Sequence, residues 1–368
     1  MPFRVLVADD SVLFRRVITE ALASIPDVEV VGSAANGRLA LQQVRELKPD
    51  LLTLDIEMPG MDGLQVLDAL RQSGEDIMVI VVSALTSRGG SLTMQALEKG
   101  ALDFITKPDG NGTAESRSAI VKELAQRLPA LANRRAIRKI LKQNQRQPPP
   151  PVSPSERKTA DTGQTMDSLN RIATARKPEM VLIGVSTGGP NALAQLLPAI
   201  PGNIGVPFFV VQHMPPIFTR SLADSLSSKC ALRVREASHN EQAGPGTVYI
   251  APGGKQMRIA AGTGDSKTIE ITDDPPENNC KPAVDYLFRS VALRFPGRAM
   301  AVILTGMGSD GTLGLRLLKR NGCRIIAQDE ASCVVFGMPK AAIDAGVVDM
   351  VLPIEAIAPK IISSVRGG

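Results

Sequence analysis

Asp9 and Asp10, Asp55, Ser83 and Lys107 each follow or end a short apolar run, and together they suit the formation of an acyl phosphate on a carboxylate. Three carboxylates gather a hard cation such as Mg²⁺ while leaving positions for water and phosphoryl oxygens. In that chemistry Asp55 is the nucleophile, Asp9 and Asp10 hold the metal, Lys107 neutralises phosphoryl charge and Ser83 hydrogen-bonds one oxygen. A second set lies far along the chain. Ser186 sits in Gly184-Val185-Ser186-Thr187-Gly188, His213 in Gln212-His213-Met214-Pro215 and Asp310 in Gly308-Ser309-Asp310-Gly311. A hydroxyl, an imidazole to take its proton and a carboxylate to orient that imidazole are the parts of a nucleophilic hydrolase.

Each member is weak alone. An aspartate at a strand end usually caps a turn or helix, and a Gly-rich turn with a serine also cradles phosphate. Histidine scarcity sharpens the second set, because the chain holds only His213 and His239. His239, in the polar stretch Ser238-His239-Asn240-Glu241, reads as a surface loop residue, whereas His213 follows an apolar run. The order Ser, His, Asp departs from the usual α/β-hydrolase order, since no histidine follows Asp310. The same region carries a competitor: Gly306-x-Gly308-x-x-Gly311, with Asp329 ending the next strand, has dinucleotide-fingerprint spacing. That fingerprint normally opens its domain, and here it follows at least two strand-helix units.

The elements that must position these groups are legible as alternating apolar runs and helical stretches. Strands are predicted at Phe3–Val7, Leu51–Leu54, Ile77–Val82 and Asp103–Thr106, so the first set converges on the carboxyl edge of one parallel sheet. The rhythm resumes at Met180–Gly184, Pro207–Val211, Thr247–Ala251, Met300–Leu304, Arg324–Ala327 and Val347–Leu352, with helices at Asn191–Leu197 and Thr312–Lys319. The expected fold class is α/β: a domain over residues 1–127, a connector over 128–175 and a larger domain over 176–368. The connector reads as a basic helix with Ile137, Ile140 and Leu141 on one face, followed by the proline-rich tether Gln147–Pro154.

Composition bounds the function. A chain of 368 residues exceeds one ordinary core. The four cysteines, Cys230, Cys280, Cys323 and Cys333, show no Cys-x-x-Cys spacing, which fits reduced thiols in a cytoplasmic protein and disfavours zinc. No uncharged apolar stretch reaches membrane-spanning length, so no membrane insertion is expected. The net charge of +5 is local: residues Arg117 to Lys158 carry eleven Lys or Arg against two Glu. Neither globular part is basic, and no nucleic-acid partner is expected.

Residues Phe3 to Arg127 resemble a two-component receiver domain. The resemblance implies a flavodoxin-like fold, Mg²⁺ bound directly by Asp10, Asp55 and the backbone carbonyl of Glu57 and indirectly by Asp9, and an aromatic switch at Phe104. The second part is similar to the chemotaxis protein-glutamate methylesterase family. The similarity rests on Gly184 to Pro190, Gln212 to Pro215, Val248 to Gly253, Leu304 to Gly311 and Phe336 to Pro339. It implies a doubly wound sheet, the triad Ser186, His213 and Asp310, oxyanion donors at the backbone N–H groups of Thr187 and Met307, and no cofactor for hydrolysis. It further implies removal of methyl groups from glutamyl esters of methyl-accepting chemoreceptors, deamidation of receptor glutamines, and a chemotaxis histidine kinase as phosphoryl donor. One departure is visible: Lys255-Gln256-Met257 stands where the family's Ala-Pro-Gly segment often runs toward a histidine. Two domains on a tether suggest that the unphosphorylated receiver packs over the Ser186 edge. A catalytically silent output domain and a nucleic-acid binder using the basic connector stay open.

Overall fold

The computed structural model describes residues 2–107, 114–144, 176–264 and 266–367. The first domain runs β1 (Phe3–Ala8), α1 (Val12–Ala23), β2 (Val28–Ala34), α2 (Gly37–Leu47), β3 (Leu51–Asp55), α3 (Gly63–Ser73), β4 (Met78–Ala84), α4 (Ser87–Glu98), β5 (Asp103–Lys107) and α5 (Ala114–Asn144). Its strands are parallel in the order β2-β1-β3-β4-β5. The direction of winding reverses between β1 and β3, so Asp9, Asp10 and Asp55 flank the crevice where such sheets bind ligands. All five residues of β3 are buried, as expected of a central strand covered by helices on both faces. Ser11, Asn36, Asp62 and Thr86 start α1 to α4 by accepting a backbone N–H three residues on.

The boundary expected at Arg127 falls inside α5, which continues unbroken to Asn144. The helix keeps its buried face past that point: Leu128 and Leu131 join the receiver core. Arg135 pairs with Asp50 and Asp76, both at 3.1 Å. Basic residues of the connector are thus partly consumed by intramolecular ion pairs. The side chains of Ile137, Ile140 and Leu141 and the proline-rich stretch lie outside the described residues.

The second domain contains β6 (Met180–Val185), α6 (Gly189–Leu196), β7 (Phe208–Gln212), α7 (Phe218–Ser227), β8 (Arg233–Glu236), β9 (Glu241–Gln242), β10 (Thr247–Ile250), β11 (Gln256–Ala261) and β12 (Lys267–Thr272). It continues with α8 (Val284–Arg294), β13 (Ala299–Ile303), α9 (Thr312–Arg320), β14 (Arg324–Gln328), α10 (Met338–Asp344), β15 (Met350–Leu352) and α11 (Ile354–Arg366). Seven parallel strands are ordered β15-β14-β13-β6-β7-β10-β8, and β11-β12-β9 form a small separate sheet in which the pairings are antiparallel. The last strand is shorter than expected, because Gly346 (φ 68°) turns the chain so that Val347 N–H closes back on Ala342 at 3.4 Å. Val347 belongs to the stop of α10.

The two domains share a packed face. Phe104 of β5 stacks on Phe218 of α7 with ring centroids 4.6 Å apart. Asn191 Nδ2 donates to the Ala101 carbonyl at 2.9 Å, and Glu98 at the end of α4 accepts from Ser225 Oγ at 2.6 Å and pairs with Lys229.

Candidate active site

Strand order explains why three distant side chains meet. β13, β6 and β7 are neighbours, and the turns leaving them carry Asp310, Ser186 and His213. Backbone bonds prolong the ladder past the strand ends, with Ser186 N–H donating to Thr305 O at 3.0 Å and His213 N–H to Val185 O at 3.1 Å. Gln212 Nε2 ties the turns together by donating to the carbonyls of Ser186 (3.0 Å) and His213 (3.1 Å). Gly188, at φ 75°, starts α6 in the left-handed region that favours glycine. Gly306 is required by close approach, since a Cβ there would fall 2.7 Å from Ser186 Cβ.

His213 Nε2 lies 2.8 Å from Asp310 Oδ2. Asp310 is 3 % exposed and also accepts from the backbone of Val284 (2.7 Å), Asp285 (3.1 Å) and Gly311 (2.9 Å) and from Asn278 Nδ2 (2.8 Å). Burial by itself would raise its pKa, but these bonds and the imidazole outweigh burial and lower it. Burial likewise works to lower the His213 pKa, yet the bond to Asp310 and the neighbouring Cys280 overcome it and raise the ring to about 9. Asp285, 2 % exposed, is raised by burial, and the adjacent Asp310 charge adds to the rise. Asn278, Cys280 and Asp285 carried no sequence signal, because the loop before α8 and the first turn of that helix reach the site from outside the three motif turns.

Ser186 and His213 line one cavity, but Ser186 Oγ forms no hydrogen bond to the ring among the described residues. Nδ1, the nitrogen left for the serine, faces Cys280 Sγ at 3.6 Å. The backbone N–H groups of Thr187 and Met307 donate to no hydrogen bond among the described residues. The opposite wall is the receiver, through Phe104, Thr106, Glu123 and Arg127. The volume is about 40 Å³. At ~10–15 Å³ per water centre this admits about three waters and no ester side chain.

The dinucleotide reading fails on the same residues. Asp310 Oδ1 already accepts the Gly311 N–H at the start of α9, where a pyrophosphate would sit, and Asp329 caps Ser332 at 3.0 Å.

Family models match the chain twice: CheB methylesterase over residues 181–361 and response regulator receiver domain over residues 5–115. A Desulfotalea psychrophila protein-glutamate methylesterase/protein-glutamine glutaminase is 49% identical over 99% of this chain and 98% of its own. The chain belongs to the CheB methylesterase family. A Nocardioides protein of the same name is 42% identical over 98% of this chain and 94% of its own. The crystal structure of the Thermotoga maritima CheB methylesterase catalytic domain matches with a TM-score of 0.50 and 44% identity, covering 51% of this chain and 99% of that one.

In the receiver half of this methylesterase, Lys107 Nζ is 2.6 Å from Asp55 Oδ2 and 3.1 Å from Asp9 Oδ2. Burial raises the Asp55 pKa to about 6 against the pull of Lys107, and burial also raises Asp9. Asp9, Asp10 and Asp55 bring a carboxylate oxygen each within 4.8 Å of one another. Asp9 Oδ2 is buried with only the Lys107 ammonium beside it, and three carboxylates this close need more positive charge than one lysine brings, so the donor set fits Mg²⁺. Asp9 is further held by Ser11 N–H at 2.9 Å, and Arg15, which the sequence did not single out, donates to the Asp9 carbonyl at 2.7 Å. The Ser83 hydroxyl accepts from Thr93 Oγ1 at 2.7 Å and donates to Gly89 O at 3.2 Å, and makes no hydrogen bond to Asp55 among the described residues. Glu57 N–H donates to Asp55 Oδ1 at 3.3 Å, and its carboxylate pairs with Arg88. His239 is an exposed loop residue accepting from Ile271 N–H at 3.2 Å.

Proposed function

We propose that the chain is a phosphorylation-activated hydrolase that removes methyl groups from glutamyl γ-esters of methyl-accepting chemoreceptors, releasing methanol, and deamidates receptor glutamines. The observation that carries this reading is the meeting of Ser186, His213 and Asp310 on adjacent strand ends beneath a receiver wall. Ser186 Oγ attacks the ester carbonyl while His213 Nδ1 takes its proton, and Asp310 stabilises the resulting imidazolium. The N–H groups of Thr187 and Met307 hold the oxyanion. His213 returns the proton to the departing methoxide; water then repeats the sequence on the glutamyl-enzyme.

In the closed form the nucleophile and base share a cavity without the hydrogen bond that couples them, and substrate has no room. Phosphorylation at Asp55 acts by weakening the receiver wall. Asp10, Asp55 and the Glu57 carbonyl, with Asp9 behind them, would hold Mg²⁺, which when bound neutralises phosphoryl oxygens. Lys107 re-pairs from the carboxylates to the phosphoryl group. A chemotaxis histidine kinase is the donor this assigns, and the cytoplasm is the compartment. No helix among the described residues is long and apolar enough to cross a membrane.

The test is methanol release from methylated receptor membranes with and without acetyl phosphate. Phosphoryl donor should stimulate the wild type but not Asp55→Asn, and Ser186→Ala should lose several orders of magnitude in turnover, about 10⁶-fold in the best-studied serine hydrolase with a comparable triad. Near-normal hydrolysis by Ser186→Ala would refute the mechanism.

A further inference from the structure

Cys280 is a nucleophile that the hydrolysis leaves unused. Its Sγ lies 3.6 Å from His213 Nδ1, on the side of the ring opposite the 2.8 Å contact of Nε2 with Asp310. Thiol, imidazole and carboxylate therefore form a line of their own. Both Asp310 oxygens are taken up by hydrogen bonds, Oδ2 by Val284 N–H and the ring and Oδ1 by Asn278 and two backbone N–H groups. That carboxylate has little capacity left for a metal, and the cluster is a proton relay. A thiol 3.6 Å from an oriented imidazole has a base beside it to take its proton as sulfur attacks, the pairing that activates nucleophilic cysteines. The half-buried Cys230 makes no bond to an imidazole among the described residues, and burial pushes its thiol up to about 11. Cys323 and Cys333 are buried.

We propose that Cys280 is a modification site for peroxides and soft electrophiles, and that its modification switches off hydrolysis by blocking the His213 nitrogen that Ser186 requires. The inactivation rests on the serine mechanism above; the reactivity of the thiol does not. With hydrogen peroxide, the thiolate attacks one oxygen, an S–O bond forms and the O–O bond breaks. Sulfur is oxidised to a sulfenic acid, and the hydroxide released takes the imidazolium proton and leaves as water.

The experiment uses the full chain. Limiting iodoacetamide at pH 7 is followed by peptide mass spectrometry, and methanol release is measured before and after peroxide for wild type and Cys280→Ser. Glutathione added as an internal reference is an ordinary thiol only a few per cent ionised at that pH, and Cys280 should label about tenfold or more faster than it. His213→Ala should bring Cys280 down to the glutathione rate, with slow labelling of Cys323 and Cys333 reporting that the variant stays folded. Peroxide should silence the wild type and spare Cys280→Ser relative to its own untreated rate. Labelling of Cys280 no faster than glutathione in the wild type overturns the site. Equal loss of activity in Cys280→Ser overturns the switch. If Ser186→Ala hydrolyses normally while Cys280 still labels fast, the serine assignment fails and the modification site stands.

Discussion

Replacing Phe104 by leucine is expected to raise methyl-ester hydrolysis by the unphosphorylated chain about fivefold. Phe104 is 6 % exposed, stacks on Phe218 with a 4.6 Å centroid separation and 27° between planes, and lines the Ser186 cavity. Leucine keeps most of the apolar volume, so the receiver core survives. What is lost is the ring-on-ring term, about 1 kcal/mol beyond simple burial. That energy corresponds to a factor of about five in the ratio of closed to open chains. While the closed form predominates, activity rises in proportion to the open fraction. Phe218→Leu removes the same contact, so the double variant should gain little over either single one, with a coupling of about 1 kcal/mol. The assay is methanol release without and with acetyl phosphate, and the fully phosphorylated rate should not move. An unchanged basal rate, or a parallel fall of both rates, would refute the argument.

Asn278 Nδ2 donates to Asp310 Oδ1 at 2.8 Å and Asp285 Oδ2 at 3.0 Å, so it holds two buried carboxylates together. Asn278→Ala should destabilise the fold by about 1–3 kcal/mol and lower kcat about tenfold, read from thermal melts and initial rates; an unaltered kcat removes Asn278 from the site. The raised pKa of His213 sets a pH dependence: a protonated ring cannot accept the serine proton, so basal hydrolysis should climb as pH rises through about 9. Because the folded value lies above the ordinary 6.5, the charged ring stabilises the fold fully below 6.5, and this is lost as pH passes about 9. A pH-rate profile flat above pH 7 would contradict the assignment.

The parallel strands were legible because a buried central strand is apolar along its whole length, as in Met180–Val185 and Ala299–Ile303. β8 escaped because an edge strand reading Arg-Val-Arg-Glu has one buried residue. The β11-β12 hairpin escaped because its polar face obscures the alternation. Site residues were legible where a glycine-rich turn follows a strand, since there backbone geometry and chemistry share one motif. Asn278, Cys280 and Asp285 were not, because their roles come from where a loop and the helix start after it fold back rather than from any local spacing. Ser83 shows the converse: its position at the strand end was read correctly, but Thr93 and Gly89 of α4 compete for its hydroxyl.

β5 carries both ends of the control. Lys107 at its carboxyl end contacts Asp55, and Phe104, three residues earlier, closes the hydrolase cavity. A switch from about 1% to 99% open needs roughly 5.5 kcal/mol of differential stabilisation. The ring stack supplies about 1 kcal/mol, and exposed pairs such as Glu98 with Lys229 supply less than that each. Rotation of Phe104 alone is therefore too weak to throw the switch. Phosphorylation must release the α4–β5 face as a unit, breaking the Phe104 stack, the Asn191 bond to Ala101 and the Glu98 contacts together. That requirement makes the opening steep, since each broken contact removes part of the support for the next.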